Sequence, residues 1–161
     1  MIIAFFVQLI TLSYSQSCAS SSQMDFTFYF VSGTDDWLVS PYHPSGTWAP
    51  IVINPGVWIS MPDAPSIWDS SGCACIEIMT ITRSFFLPIV PSQVNLYVIV
   101  DDYGTATVNG KGSCSMIFNI NTLCDMTSSV LLGLNELKIV VTNSGGPGGL
   151  SYKLEAYLKV A

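Results

Sequence analysis

Charge is what this sequence has least of. Five Lys or Arg stand against eleven Asp or Glu in 161 residues, so charged residues make up 10%, where soluble domains carry about 25%. A formal charge of −6 with so few cations excludes a nucleic-acid binder, which needs a clustered basic patch against phosphate. A polybasic membrane contact is excluded for the same reason. Histidine is scarcer still: His43 is the single one, and no two cysteines have C-x2-C spacing, so a structural zinc site lacks its ligands. Long hydrophobic runs are missing too. Residues 2–12 make an apolar run of 11 with one interruption, Gln8, where a bilayer-spanning helix needs about 20. What is present is hydrophobicity: half the residues are apolar or aromatic, which excludes disorder. Surface polarity must then rest on the backbone and on 21 Ser, 11 Thr and 7 Asn. The length suits one domain with a sizeable core and is too short for two.

The N-terminal run (IIAFFVQLITL) has the length of a signal-peptide h-region. Ser13-Tyr14-Ser15 and Ser15-Gln16-Ser17 supply small-x-small cleavage sites. No Lys or Arg precedes it, so a retained hydrophobic strand is the alternative. Residues 1–17 are read as one or the other, and 18–161 as a single domain. The five cysteines agree with export to an oxidising compartment. Cys114 and Cys124 border one short strand-like segment and are expected to be bridged. Cys73 and Cys75 are too close to bridge each other comfortably, so one pairs elsewhere, and Cys18 is a partner if it survives processing. An odd total leaves one thiol free or intermolecular.

Along the chain the pattern is strand after strand. Phe26, Phe28 and Phe30 alternate with Asp25, Thr27 and Tyr29, the period of a half-buried strand. A long strand runs from Cys75 to Leu87, and others cover Val94 to Val100, Thr105 to Asn109, Met116 to Ile120, Leu137 to Thr142 and Tyr152 to Val160. Asn109-Gly110 marks a two-residue hairpin turn, because both central positions want positive φ. Only Asp125 to Leu132 suits a helical turn. Short strands at this spacing predict an all-β, antiparallel sandwich or barrel.

Taken together, Val57-Trp58-Ile59, Ile67-Trp68-Asp69, Arg83-Ser84-Phe85-Phe86-Leu87-Pro88 and Asp101-Asp102-Tyr103-Gly104 resemble galactose-binding-like jelly-roll modules. Thr107-Val108-Asn109-Gly110, Gly133-Leu134-Asn135-Glu136-Leu137 and Gly148-Gly149-Leu150-Ser151-Tyr152 continue the order, over roughly residues 34–159. The resemblance implies a jelly-roll β-sandwich of about eight strands, found both as carbohydrate-binding modules and as structural spacers. The inserted Cys73-Ala74-Cys75, Cys114 and Cys124 depart from the pattern.

The chemistry inventory is thin. A Ser or Cys nucleophile needs a base, and His43 comes without a G-x-S-x-G elbow. Glu77 lies on an apolar strand, where burial raises a carboxyl pKa as a general acid requires; the structural reading pairs it with Arg83 or places it on an exposed face. Asp35-Asp36 reads as loop chemistry. Trp58 and Trp68 suit core packing, whereas Trp37 and Trp48 lie in Pro- and Ser-rich loop sequence, where glycan stacking is plausible. Asp101-Asp102, with Asn109 further on, offers hard oxygen ligands for Ca²⁺ and resembles the Asp-Asp motif of calcium-dependent adhesins with a protective-antigen-like domain. The alternative is an acidic turn capping backbone amides. Three functions follow as expectations: a secreted or cell-surface structural subunit that self-associates in a filament or coat, a glycan-binding module, and a hydrolase lacking a catalytic set.

Overall fold

The computed structural model describes residues 24–54, 56, 58–69 and 77–160. The readings placed on residues 1–17, on Cys18, on Cys73 and on Cys75 lie outside the described residues.

Ten strands form among the described residues: β1 Met24–Val31, β2 Trp37–Val39, β3 Thr47–Trp48, β4 Glu77–Leu87, β5 Gln93–Asp101, β6 Tyr103–Val108, β7 Lys111–Ile117, β8 Thr122–Asp125, β9 Gly133–Asn143 and β10 Gly149–Val160. They make two antiparallel sheets, ordered β1-β10-β5-β8 and β3-β2-β4-β9-β6-β7. The two layers pack as the expected β-sandwich. The chain crosses between them repeatedly, from β1 to β2, β4 to β5, β5 to β6, β7 to β8, β8 to β9 and β9 to β10. The count exceeds the expected eight because β2, β3 and β8, of two to four residues, carry too little alternation to announce themselves. The helical turn expected after Asp125 is a single 3₁₀ turn, Thr127–Ser129.

Alternation explains the long strands. Met79, Ile81, Phe85 and Leu87 of β4 face inward with Leu137, Ile139 and Val141 of β9, and Ile81 lies directly across from Ile139. From the other layer Val94, Leu96, Val98, Tyr152, Leu154, Ala156 and Leu158 meet them in one core. Asn109 and Gly110 adopt φ of 54° and 71°, the paired positive values of a tight hairpin turn, and so join β6 to β7.

Cys114 on β7 and Cys124 on β8 form a disulfide, with Cα atoms 6.0 Å apart. Each belongs to the outermost strand of its own sheet, so the bond ties the two layers together along one lateral edge.

At the opposite edge the pattern of β1 is right about faces and wrong about burial. Phe26, Phe28 and Phe30 pair with Leu158, Ala156 and Leu154 on the inner face. Phe30 packs on Phe85 at 4.9 Å between ring centroids. Phe26 and Phe28, however, are 46% and 40% exposed. Period 2 says which way a side chain points; it does not say whether the other layer extends far enough to cover it.

Candidate functional site

Register brings Trp37 and Trp48 together across the β2–β3 pair. The rings meet edge to face, 5.2 Å between centroids, an arrangement that the aromatic quadrupole favours. Leu38 between them in sequence order points inward and is fully buried, so Trp37 points outward. Trp48 is the more open of the two, at 62% exposure. Trp37 packs against Gly46, whose φ of 84° and missing Cβ let the ring approach the backbone. The indole pair is therefore held in place, with Trp48 largely exposed.

The hairpin connecting these tryptophans carries His43. Its Nδ1 donates to Asp69 Oδ2 at 2.9 Å, and Ser40 Oγ donates to the same oxygen. Ser40 Oγ also accepts the N–H groups of Tyr42 and His43. The serine proton thus goes to a carboxylate rather than to the imidazole, which is the geometry of a braced turn and not of a nucleophile and its base. Glu77 lies buried nearby, and neither of its carboxylate oxygens has a hydrogen-bond partner. Burial first, and then Asp69, raise its pKa. Its expected pairing with Arg83 does not occur. Arg83 is ion-paired with Asp35 and stands 3.7 Å from Asp36.

Asp101 and Asp102 stay together at one end of the sandwich, joined by a cis peptide. Asp101 Oδ2 accepts Trp58 Nε1–H at 2.9 Å, and Asp102 Oδ2 accepts the N–H of Ser144 at 2.7 Å. Burial, with the Asp102 carboxyl beside it, raises the Asp101 pKa against the pull of Trp58. Asn109 does not join them. It sits at the far end of β6, where its Nδ2 donates to Ser129 O and Asn135 Oδ1 and its Oδ1 accepts the N–H of Glu136. A calcium ion takes six to eight oxygens; the trio expected from sequence is not assembled, and among the described residues no three His, Cys, Asp or Glu converge to hold a metal. The turn reading fits only in part: Asp102 accepts a backbone N–H, from Ser144 on a loop distant in sequence, whereas Asp101 accepts the indole N–H of Trp58 rather than a backbone amide's. Trp58 and Trp68 are buried, as expected.

Sequence reasoning missed a fourth surface, the outer face of the four-stranded sheet. Lys153 bridges to Glu155 at 2.8 Å and stands over the rings of Tyr29 and Tyr97 at 5.9 and 5.4 Å. Tyr157 donates to Glu155 at 2.5 Å. The signal was present in the alternation of Lys153, Glu155 and Tyr157 with buried Leu154, Ala156 and Leu158, but it reads as an ordinary solvent face until the neighbouring strands supply their tyrosines.

No protein-family model matches the chain, and no curated protein matches it. Among solved structures it is similar to an FMN-binding beta-glucuronidase from Facaelibacterium prausnitzii L2-6, with 17% identity and a TM-score of 0.45 over 80% of this chain and 23% of that one. The chain spans less than a quarter of that protein's length, and at this level the likeness carries no argument about function.

Proposed function

We propose that the chain is a non-enzymatic extracellular structural subunit, built on a galactose-binding-like jelly roll, that associates with copies of itself. The observation that carries this reading is the contrast between the two edges of the sandwich. One is tied by Cys114–Cys124. The other ends in β1, an eight-residue strand whose Met24, Phe26, Phe28 and Tyr29 are all exposed. Long apolar edges of this kind are sites of strand-to-strand association. The disulfide supports an oxidising, extracellular setting, and among the described residues no helix is long and apolar enough to cross a membrane. Light scattering of the chain as secreted tests the reading: a mass above that of one copy is expected, and a monomer at every concentration overturns it.

The Trp37–Trp48 pair favours a second reading, a glycan-binding module in which a pyranose stacks on the exposed Trp48. Titration with neutral oligosaccharides should quench tryptophan emission, and Trp48→Ala should abolish the response. For a calcium-dependent form, Asp101 and Asp102 supply two carboxylates and Asn109 nothing. A melting temperature that a chelator leaves unmoved removes that form, because an ion bound only to the native state stabilises it.

A further inference from the structure

Among the described residues β1 has no lysine, no proline and no bulge in its pairing with β10, three of the devices by which natural edges are blunted. Phe26 and Phe28 point toward the core side of the sheet, and with Pro88, Ile89, Leu158 and Val160 they line an apolar groove. Whatever covers this edge must offer extended backbone N–H and C=O groups as well as apolar side chains. A lipid chain supplies only the second.

The strand is complementary to itself. Antiparallel strands related by a two-fold axis normal to the sheet pair residues whose numbers have a constant, even sum, since partners share a face. Setting Thr27 against Thr27 places Phe26 across from Phe28, and Asp25 across from Tyr29, of the second copy. Phenylalanines from both copies then meet on the inner face. Asp25, the one charged residue of β1, lies across from Tyr29 of the second copy, so this register sets no like charges directly opposite each other.

We propose that a second copy of this chain pairs β1 to β1 about a two-fold axis, fusing two four-stranded sheets into one of eight strands. The inference rests on the self-association reading and narrows it to a closed dimer, because the pairing consumes both β1 edges. The fused sheet ends at β8 on either side, a strand of four residues bound by its disulfide to β7.

Sedimentation velocity of the full chain as secreted tests it, with three variants. Phe28→Lys places a charge in the groove, and Tyr29→Asp sets a carboxylate against Asp25 of the second copy. Tyr29 is 59% exposed on the outer face, so its replacement leaves the core intact even if Phe28→Lys fails to fold. Leu134→Lys alters an exposed position on the other sheet. Wild type and Leu134→Lys should sediment as dimers, while each β1 variant raises the dissociation constant by at least about tenfold, since an isologous contact counts every substitution twice. Association that survives both β1 variants overturns the β1 pairing and leaves self-association standing. A wild type that is monomeric at all concentrations overturns both.

Discussion

Asp36 is the residue whose environment departs furthest from its sequence. Beside Asp35, after Ser32-Gly33-Thr34, it reads as loop chemistry, yet it is fully buried. Tyr152 donates to its Oδ1 at 2.5 Å and the Gly33 N–H to its Oδ2 at 2.8 Å. Burial pushes its pKa from 3.8 up to about 6 despite these donors and Arg83. A proton held more tightly in the folded than in the unfolded chain stabilises the fold fully below the unfolded value and is lost as pH rises through the folded one. Stability should therefore fall between about pH 4 and pH 6, by about 3 kcal/mol for a shift of about two units. Asp101 and Glu77, raised in the same direction by burial, add to the slope. Urea midpoints at pH 4, 5, 6 and 7 check this. Asp36→Asn should flatten the decline, and a variant curve running parallel to wild type would assign the slope elsewhere. Glu77 gives a companion test at the same scale. Its carboxylate is buried without a hydrogen-bond partner, so Glu77→Met should raise stability by about 1–3 kcal/mol by removing an unmet desolvation cost.

Among the elements, β7 and β8 depend most on a covalent bond. Among the described residues β7 pairs with β6 alone and β8 with β5 alone, and both are edge strands. Cys114→Ser with Cys124→Ser should lower unfolding free energy by about 3 kcal/mol, the chain-entropy value for a loop of this length. An unchanged denaturation midpoint would mean that packing of Met116 and Met126, both buried, holds this edge without the bond. The long strands were legible before the structure because period 2 ran uninterrupted through β1, β5, β9 and β10. β2 and β3 were not, since Trp37-Leu38-Val39 sits between acidic and proline-rich loops and is a strand only because β4 lies beside it. The first half of β7, Lys111-Gly112-Ser113, has poor strand propensity and is held by its register with β6. The same limit governed the candidate sites. Trp37 and Trp48 were singled out one by one, and only pairing showed them to be neighbours. Asp101 and Asn109 were grouped by closeness in sequence, but an extended β6 between them carries its two ends apart at about 3.3 Å per residue.

For the whole molecule, the scarcity of charge decides how association responds to its medium. Burial of Phe26, Phe28 and their surroundings is an apolar effect that salt does not screen, whereas ionic contacts weaken with ionic strength. The proposed dimer should therefore persist at high salt. Any species larger than a dimer needs a second surface, and the outer face of the six-stranded sheet is the place to look. There Phe86 lies directly across from Leu134, both strongly exposed, with Ile78 and Ile117 exposed on the same sheet. Kosmotropic salt strengthens apolar burial by its exclusion from the protein surface, so ammonium sulfate should drive dimers into longer assemblies through this face. Phe86→Ser with Leu134→Ser should leave the dimer mass intact and suppress the growth in light scattering. Growth that continues in the double variant would move the second contact to another surface, and dissociation of the dimer by salt would mean that its interface is ionic, against everything β1 presents.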